Sequence, residues 1–243
     1  MAGAALPLVS MYETGAGGGV RVVTLRRAPV NAIELMLASA VERAFAVLRD
    51  DASCRAVVLT GAPDGGAFSA GVDTRAFATY GPNERAEFLR AINRMVLAIY
   101  GLPKPVVAAV SGHAVGGGLV LALACDVRFV ARGPVKLGLT EASAGIPFPA
   151  CPLELVRAEL SPYTARTLSL GSQLFAAESP TLVGVVDALI EPGDLLQAAA
   201  AEAERRSSMR GYAAVKAQLR APAVARMRRI VDNDEDPLVR SWL

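Results

Sequence analysis

The sequence predicts an α/β fold, and three features of it do so. Short runs rich in Val, Ala and Leu recur along the first half of the chain, as buried strands require. Longer amphipathic stretches separate them at helical spacing. The last third then becomes almost wholly helical in pattern.

The elements follow in order. Val20 to Arg26 reads as a strand entered from a hairpin-like turn, Gly15-Ala16-Gly17-Gly18-Gly19. That turn precedes a strand, lacks a P-loop lysine and has no dinucleotide spacing. A helix is predicted from about Glu34 to Arg49, with Leu37, Val41, Ala44 and Leu48 on one face. Ala56 to Thr60 is a short buried strand. Glu84 to Tyr100 is helical, and Pro103 and Pro105 stop it. Val106 to Val110 is a strand, Gly117 to Ala124 a buried helix, and Val127 to Val130 a strand. Four further helices are expected around Tyr163–Leu170, Leu195–Arg206, Tyr212–Leu219 and Ala223–Val231. Their apolar faces must cover either the core or a neighbouring subunit.

Composition narrows the function. A chain of 243 residues, 53% apolar and 20% charged, is long enough for one large core and is not disordered. A formal charge of +2 does not call for nucleic acid as a partner. The arginines between Arg205 and Arg229 fit a solvated helix face or contact with an anionic cofactor tail. Cys54, Cys125 and Cys151 have no metal-like spacing and suit a reducing, cytoplasmic setting. Met1 to Ser10 lacks the basic and apolar regions of a signal peptide. Pro105 to Cys125 carries no Asp, Glu, Lys or Arg, yet Gly116-Gly117-Gly118 interrupts it, so strand, turn and helix explain it better than a membrane span.

Three segments concentrate glycine where elements end: Ala67–Asp73, Ser111–Gly118 and Leu137–Pro147. A glycine triplet opening a buried helix leaves backbone N–H groups free at its positive end, which favours an anion or a transient oxyanion. Close helix packing and an ordinary β-turn would account for the same glycines.

The residues themselves resemble a known family. Phe68-Ser69-Ala70-Gly71-Val72-Asp73 looks like the F-x-A-G-x-D loop of the crotonase (enoyl-CoA hydratase/isomerase) superfamily. The run from Lys104 to Gly118, continued by Ala124-Cys125-Asp126, resembles its second signature. Arg27-Ala28-Pro29-Val30-Asn31-Ala32 is similar to its coenzyme-pocket segment, and Gly138-Leu139-Thr140-Glu141 with Gly145-Ile146-Pro147 resembles its catalytic loop.

The resemblance implies repeated β-β-α units with a helical C-terminal region. Residues 1–190 would form the acyl-CoA-binding core, and 191–243 a helical region covering the core or a subunit interface. It implies an acyl-CoA thioester substrate, with coenzyme A as part of that substrate and no permanently bound cofactor or metal. It also implies a homotrimer or a dimer of trimers. By position, the backbone N–H groups of Val72 and Gly117 form the oxyanion hole, each worth about 3 kcal/mol in the transition state. Ala28, Val30, Ala70 and Asp73 lie at the coenzyme and substrate pocket, and Glu141 is the acid/base.

Hydratases of this family hold water between two glutamates. The second falls here at Val120, which can neither move a proton nor hold water. One glutamate suffices for the proton shuttle of a Δ3,Δ2-enoyl-CoA isomerase, which the resemblance therefore favours. A hydratase with an atypical second group and a non-catalytic acyl-CoA binder are the alternatives. The shuttle needs a carboxylate whose pKa is raised by burial, and Leu137, Leu139 and Ile146 are its apolar neighbours in sequence. Otherwise Glu141 would be a surface or capping carboxylate. His113 is expected to be packed and hydrogen-bonded, and Asp73 and Asp126 to serve as turn or strand-end carboxylates.

Overall fold

A computed structural model describes residues 8–15, 18–61 and 66–241. It contains ten strands: β1 Val9–Thr14, β2 Val20–Leu25, β3 Ala56–Gly61, β4 Ala67–Ser69, β5 Val106–Val110, β6 His113–Val115, β7 Val127–Ala131, β8 Lys136–Gly138, β9 Phe175–Ala176 and β10 Ala188–Ile190. The helices are α1 Leu35–Asp50, α2 Thr74–Thr79, α3 Pro82–Tyr100, α4 Gly117–Leu123, α5 Glu141–Ala144, α6 Ala150–Glu159, α7 Pro162–Gly171, α8 Leu195–Ser207, α9 Tyr212–Asn233 and α10 Leu238–Ser241.

Strands come in pairs that split between two sheets. The larger sheet runs β1-β2-β3-β5-β7-β10, and the smaller runs β4-β6-β8-β9. The pairs β3/β4, β5/β6 and β7/β8 each send their first strand to the large sheet and their second to the small one, and a helix follows. This is the expected β-β-α repetition. β2, β3, β5 and β7 pair in parallel and are almost entirely buried, which explains their continuous apolar sequence.

Local chemistry sets the helix boundaries. Glu34 caps α1 by accepting from the N–H groups of Met36 and Leu37, and Leu37, Val41, Phe45 and Leu48 form its buried stripe. Pro82 opens α3 at a position where its missing N–H is harmless.

Several elements escape the sequence pattern. β1 pairs antiparallel with β2 at the sheet edge and is mostly exposed, so its apolar signal is weak. The three-residue strands β4, β6 and β8 are too short to show a period. The same holds for β9 and β10. α6 begins with Pro152 in its first turn, where proline is tolerated. Gly15, Gly18 and Gly19 lie in the β1–β2 turn, all at positive φ, while Ala16 and Gly17 lie outside the described residues.

One expectation is corrected. The helices anticipated on either side of Pro222 are a single helix, α9. Proline in a helix interior costs about 3 kcal/mol. Both halves are anchored on the core, however, by Lys216 and Arg220 before it and by Ala223 and Met227 after it. Tertiary burial holds the helix through the proline. α8 and α9 add Leu195, Ala199, Ala203, Ala223 and Met227 to the same apolar core as the sheets. Part of the tail's apolar surface thus covers its own chain.

The anchor of α9 is a buried charge cluster. Asp126, where β7 begins, accepts from the Val106 N–H at 2.7 Å and from Lys216 Nζ at 2.8 Å. Arg220 Nη1 lies 2.9 Å from its other oxygen, and the guanidinium stacks 3.9 Å above the Tyr100 ring. Burial pulls the Lys216 pKa down to about 8, against the opposing pull of Asp126. Removing Asp126 would leave the buried Lys216 without its carboxylate and Arg220 with only the more distant Glu159, 3.6 Å away. Asp126→Ala is expected to lose about 3–5 kcal/mol of stability, read as a lower urea midpoint, with Asp126→Asn losing less.

Candidate active site

The loop after β4 and the turn after β6 meet backbone to backbone. Gly71 adopts φ +81°, and a Cβ there would lie 2.5 Å from the Val115 carbonyl oxygen. A Cβ on Gly118 would lie 2.1 Å from the Ser69 carbonyl oxygen. Both contacts exclude any side chain, which is why glycine occupies both positions.

Neighbouring residues fix this approach. Ser69 Oγ donates to the Asn31 carbonyl at 2.7 Å and accepts from the Gly71 N–H at 3.2 Å. Asn31 sits at φ +50° and donates its amide to the Ala67 and Phe68 carbonyls. Ile33 then bridges to the loop: its N–H donates to the Gly71 carbonyl, and its carbonyl accepts from the Asp73 N–H. In such a parallel bridge the N–H of the central residue, Val72, points to the other side. That side holds Gly117, whose Cβ position is 3.6 Å from the Val72 nitrogen. Among the described residues neither the Val72 nor the Gly117 N–H has a hydrogen-bond acceptor.

Glu141 opens α5, and Gly145, at φ +69°, ends that short helix. The Gly116 N–H donates to the Gly138 carbonyl at 2.8 Å, tying the end of β8 to the glycine turn. Glu141 Oε1 consequently lies 3.2 Å from where a Gly116 Cβ would stand. Glu141 Oε2 is buried and has no hydrogen-bond partner among the described residues. Burial raises the carboxyl to a pKa of about 7, with the Glu141 and Thr140 backbone N–H groups opposing the rise.

Val72, Gly117, Val120 and Glu141 line one narrow cavity of about 30 Å3. Its remaining lining comes from Ile33, from Ile92, Met95 and Val96 of α3, and from Ile146, Phe148, Pro149 and Pro152. Glu141 is the one titratable side chain among these residues. Of the three apolar neighbours expected for it, only Ile146 lines the cavity. Leu137 and Leu139 are buried in the core.

The other expected site residues are not among those lining the cavity. Ala28 and Val30 are exposed, and the Val30 carbonyl accepts from the Ala70 N–H at 2.9 Å, so the early segment packs on the loop. The Asp73 carboxylate is already engaged: it accepts from Arg27 at 2.7 Å and from the Ala76 N–H at 3.0 Å. It holds the loop and caps α2. His113 is exposed, although its Nδ1 accepts from the Lys136 N–H. The tail arginines are largely paired, Arg205 and Arg206 with Glu202, Arg226 with Glu154 and Arg229 with Glu235, as a solvated face requires. The staple residues Asn31 and Ser69 were within the recognised motifs, but no local period marks their role.

A partly buried carboxylate and two free backbone donors on one cavity are the groups that acid/base chemistry of acyl-transfer or enolate type requires. Comparison with known proteins shows the family. The family description "Enoyl-CoA hydratase/isomerase" matches residues 15–239, and the chain belongs to that family, within the crotonase superfamily. It is 38% identical over 190 residues to the probable enoyl-CoA hydratase EchA17 of Mycobacterium tuberculosis, covering 77% of this chain and 70% of the relative. It is 33% identical over 182 residues to the mitochondrial enoyl-CoA delta isomerase 1 of Mus musculus, covering 74% and 62%. The crystal structure of human mitochondrial delta3-delta2-enoyl-CoA isomerase superposes with a TM-score of 0.86 at 28% identity, covering 97% of this chain and 90% of that one. The chain is thus an enzyme of a family whose members carry both hydratase and isomerase names.

The raised pKa of Glu141 has a consequence for stability. The folded value of about 7 exceeds the ordinary 4.5, so ionising Glu141 opposes folding. That penalty is absent below the unfolded pKa, grows as pH rises, and is complete above about 7. Glu141→Gln removes it. The variant's stability gain over wild type should therefore grow from pH 4.5 to pH 8, approaching roughly 3 kcal/mol, as followed by urea unfolding across pH.

Proposed function

We propose that the protein is an enoyl-CoA isomerase of the Δ3,Δ2 type, with Glu141 as the sole proton carrier. The observation that carries this reading is a cavity whose single titratable side chain is Glu141, with Val120 where hydratases of the family place a second glutamate. The thioester carbonyl of a 3-enoyl-CoA accepts from the Val72 and Gly117 N–H groups. Glu141 takes a proton from C2, and the electrons move onto the carbonyl oxygen as a dienolate. The oxygen's charge rests on the two donors. Protonated Glu141 then delivers the same proton to C4 as the double bond settles between C2 and C3. A pKa of about 7 suits both halves, because the carboxylate is basic enough to abstract and acidic enough to return.

Hydration differs in needing an activated oxygen beside C3, and Val120 offers nothing to hold one. The name of the 38%-identical relative nevertheless makes hydration the alternative. Both reactions change the absorbance of the conjugated thioester, and in opposite senses. Wild-type protein is expected to convert 3-hexenoyl-CoA to the 2-enoyl form, with kcat/KM rising with pH through about 7. Glu141→Gln should lose about 10²–10⁴-fold in turnover. Hydration of crotonyl-CoA at about 10 s⁻¹ or faster would overturn the isomerase reading.

The same reading includes a homotrimer or dimer of trimers. Tyr163, Leu170, Leu174 and Val183 are exposed apolar side chains clustered in sequence between α7 and β10, and they support assembly through that region. Light scattering at micromolar concentration should give three or six times the chain mass, and a monomer would refute it. A cytoplasmic setting belongs here too, supported by three free, buried cysteines. No helix among the described residues is long and apolar enough to cross a membrane.

A further inference from the structure

The acidic run Asn233-Asp234-Glu235-Asp236 near the end of the chain has the composition of a solvated tail, yet Asp236 is only 3% exposed. Its Oδ2 accepts from Asn93 Nδ2 at 2.7 Å and from the Ala150 N–H at 2.9 Å. Its Oδ1 accepts from the Leu238 N–H at 2.9 Å. Asn93 Oδ1 accepts in turn from the Cys151 N–H at 2.9 Å. Asp236, Asn93, Cys151 and Ala150 close a ring of hydrogen bonds between the tail, α3 and the start of α6.

That ring is attached to two of the segments that line the cavity holding Glu141. On α3, Asn93 stands between Ile92 and Met95, which line the cavity. At α6, Ala150 and Cys151 stand between Phe148 and Pro149 on one side and Pro152 on the other, which line it as well. The N-cap of α6 is Pro149, which has no side-chain acceptor for the first N–H groups of the helix. Asp236 and Asn93 supply those acceptors from elsewhere in the chain, and a carboxylate is the favoured partner at a helix's positive end.

We infer that Asp236 is a positioning residue for substrate selection: through Asn93 and the start of α6 it sets the spacing of the two apolar segments that receive the acyl chain. It touches neither Glu141 nor the cavity. Its effect therefore falls on the recognition of the chain beyond the reacting carbons rather than on proton transfer. The inference rests on the proposal that this cavity receives the acyl group of an acyl-CoA.

The test uses saturated acyl-CoAs, which bind without reacting. Dissociation constants for acetyl-CoA and octanoyl-CoA are measured by calorimetry on wild type, Asp236→Asn and Asn93→Ala. Asp234→Asn, which alters the exposed pair with Arg90 in the same tail, is the control. The octanoyl-to-acetyl affinity ratio is expected to change by about five-fold or more in both ring variants, with acetyl-CoA affinity within two-fold and the control unchanged. If the folded variants keep the wild-type ratio, or lose both ligands equally, the inference is overturned. Should one variant fail to fold, the other decides; should both fail, the ring is a folding element and the inference is again overturned. If wild type binds neither ligand, it is the acyl-CoA reading of the site that fails.

Discussion

The site depends on one contact, the approach of the backbone at residues 69–72 to the backbone at residues 115–118. Two Cβ positions there would stand 2.5 Å and 2.1 Å from carbonyl oxygens, so glycine alone allows the distance. The approach brings Val72 and Gly117 to one cavity, and among the described residues neither N–H has an acceptor. β4 and β6 run parallel in the small sheet and carry the two segments toward each other. The Asn31 and Ser69 hydrogen bonds then lock the loop against that sheet.

The second determinant is the contrast between the cavity and its surroundings. The cavity lining is apolar apart from Glu141, and the loss of water raises that one carboxyl. Elsewhere in the fold, Asp126, Lys216 and Arg220 have buried side chains too, but these are paired, hydrogen-bonded and stacked. The difference separates two uses of a buried charge. The paired cluster fastens α9 to the sheets, where an uncompensated partner is penalised heavily. Glu141 has an oxygen with no partner at all among the described residues, and such an unsatisfied group marks a functional place.

The tail illustrates how packing overrides local preference. Pro222 would end α9 if the helix stood in water, but residues on both sides of it are buried against the core. Arginines that look like an anion-binding stripe in sequence mostly meet glutamates one turn away or on a neighbouring helix. A carboxylate from an acidic run that reads as solvated reaches the first N–H of α6 instead. Charge runs read in one dimension do not reveal the long-range partners, Glu154 for Arg226 and Ala150 for Asp236, because these lie many residues away in the chain.

By itself the sequence determined the α/β class, the main buried strands and the long amphipathic helices, because burial periodicity is local. It also carried the family, since the glycine motifs and their order are specific, and it named Val72, Gly117, Val120 and Glu141. Only the tertiary structure decided that these four share one cavity and that Ile146, rather than Leu137 or Leu139, lines it with them. It alone assigned Asp73 to Arg27 and α2, joined α9 across Pro222, and showed Asp236 between α3 and α6. It also supplied β1 and the three-residue strands of the small sheet. The physical reason is the same throughout: strand pairs, helix anchors and unpaired donors are set by contacts between segments far apart in the chain, and no window of neighbouring residues contains both partners.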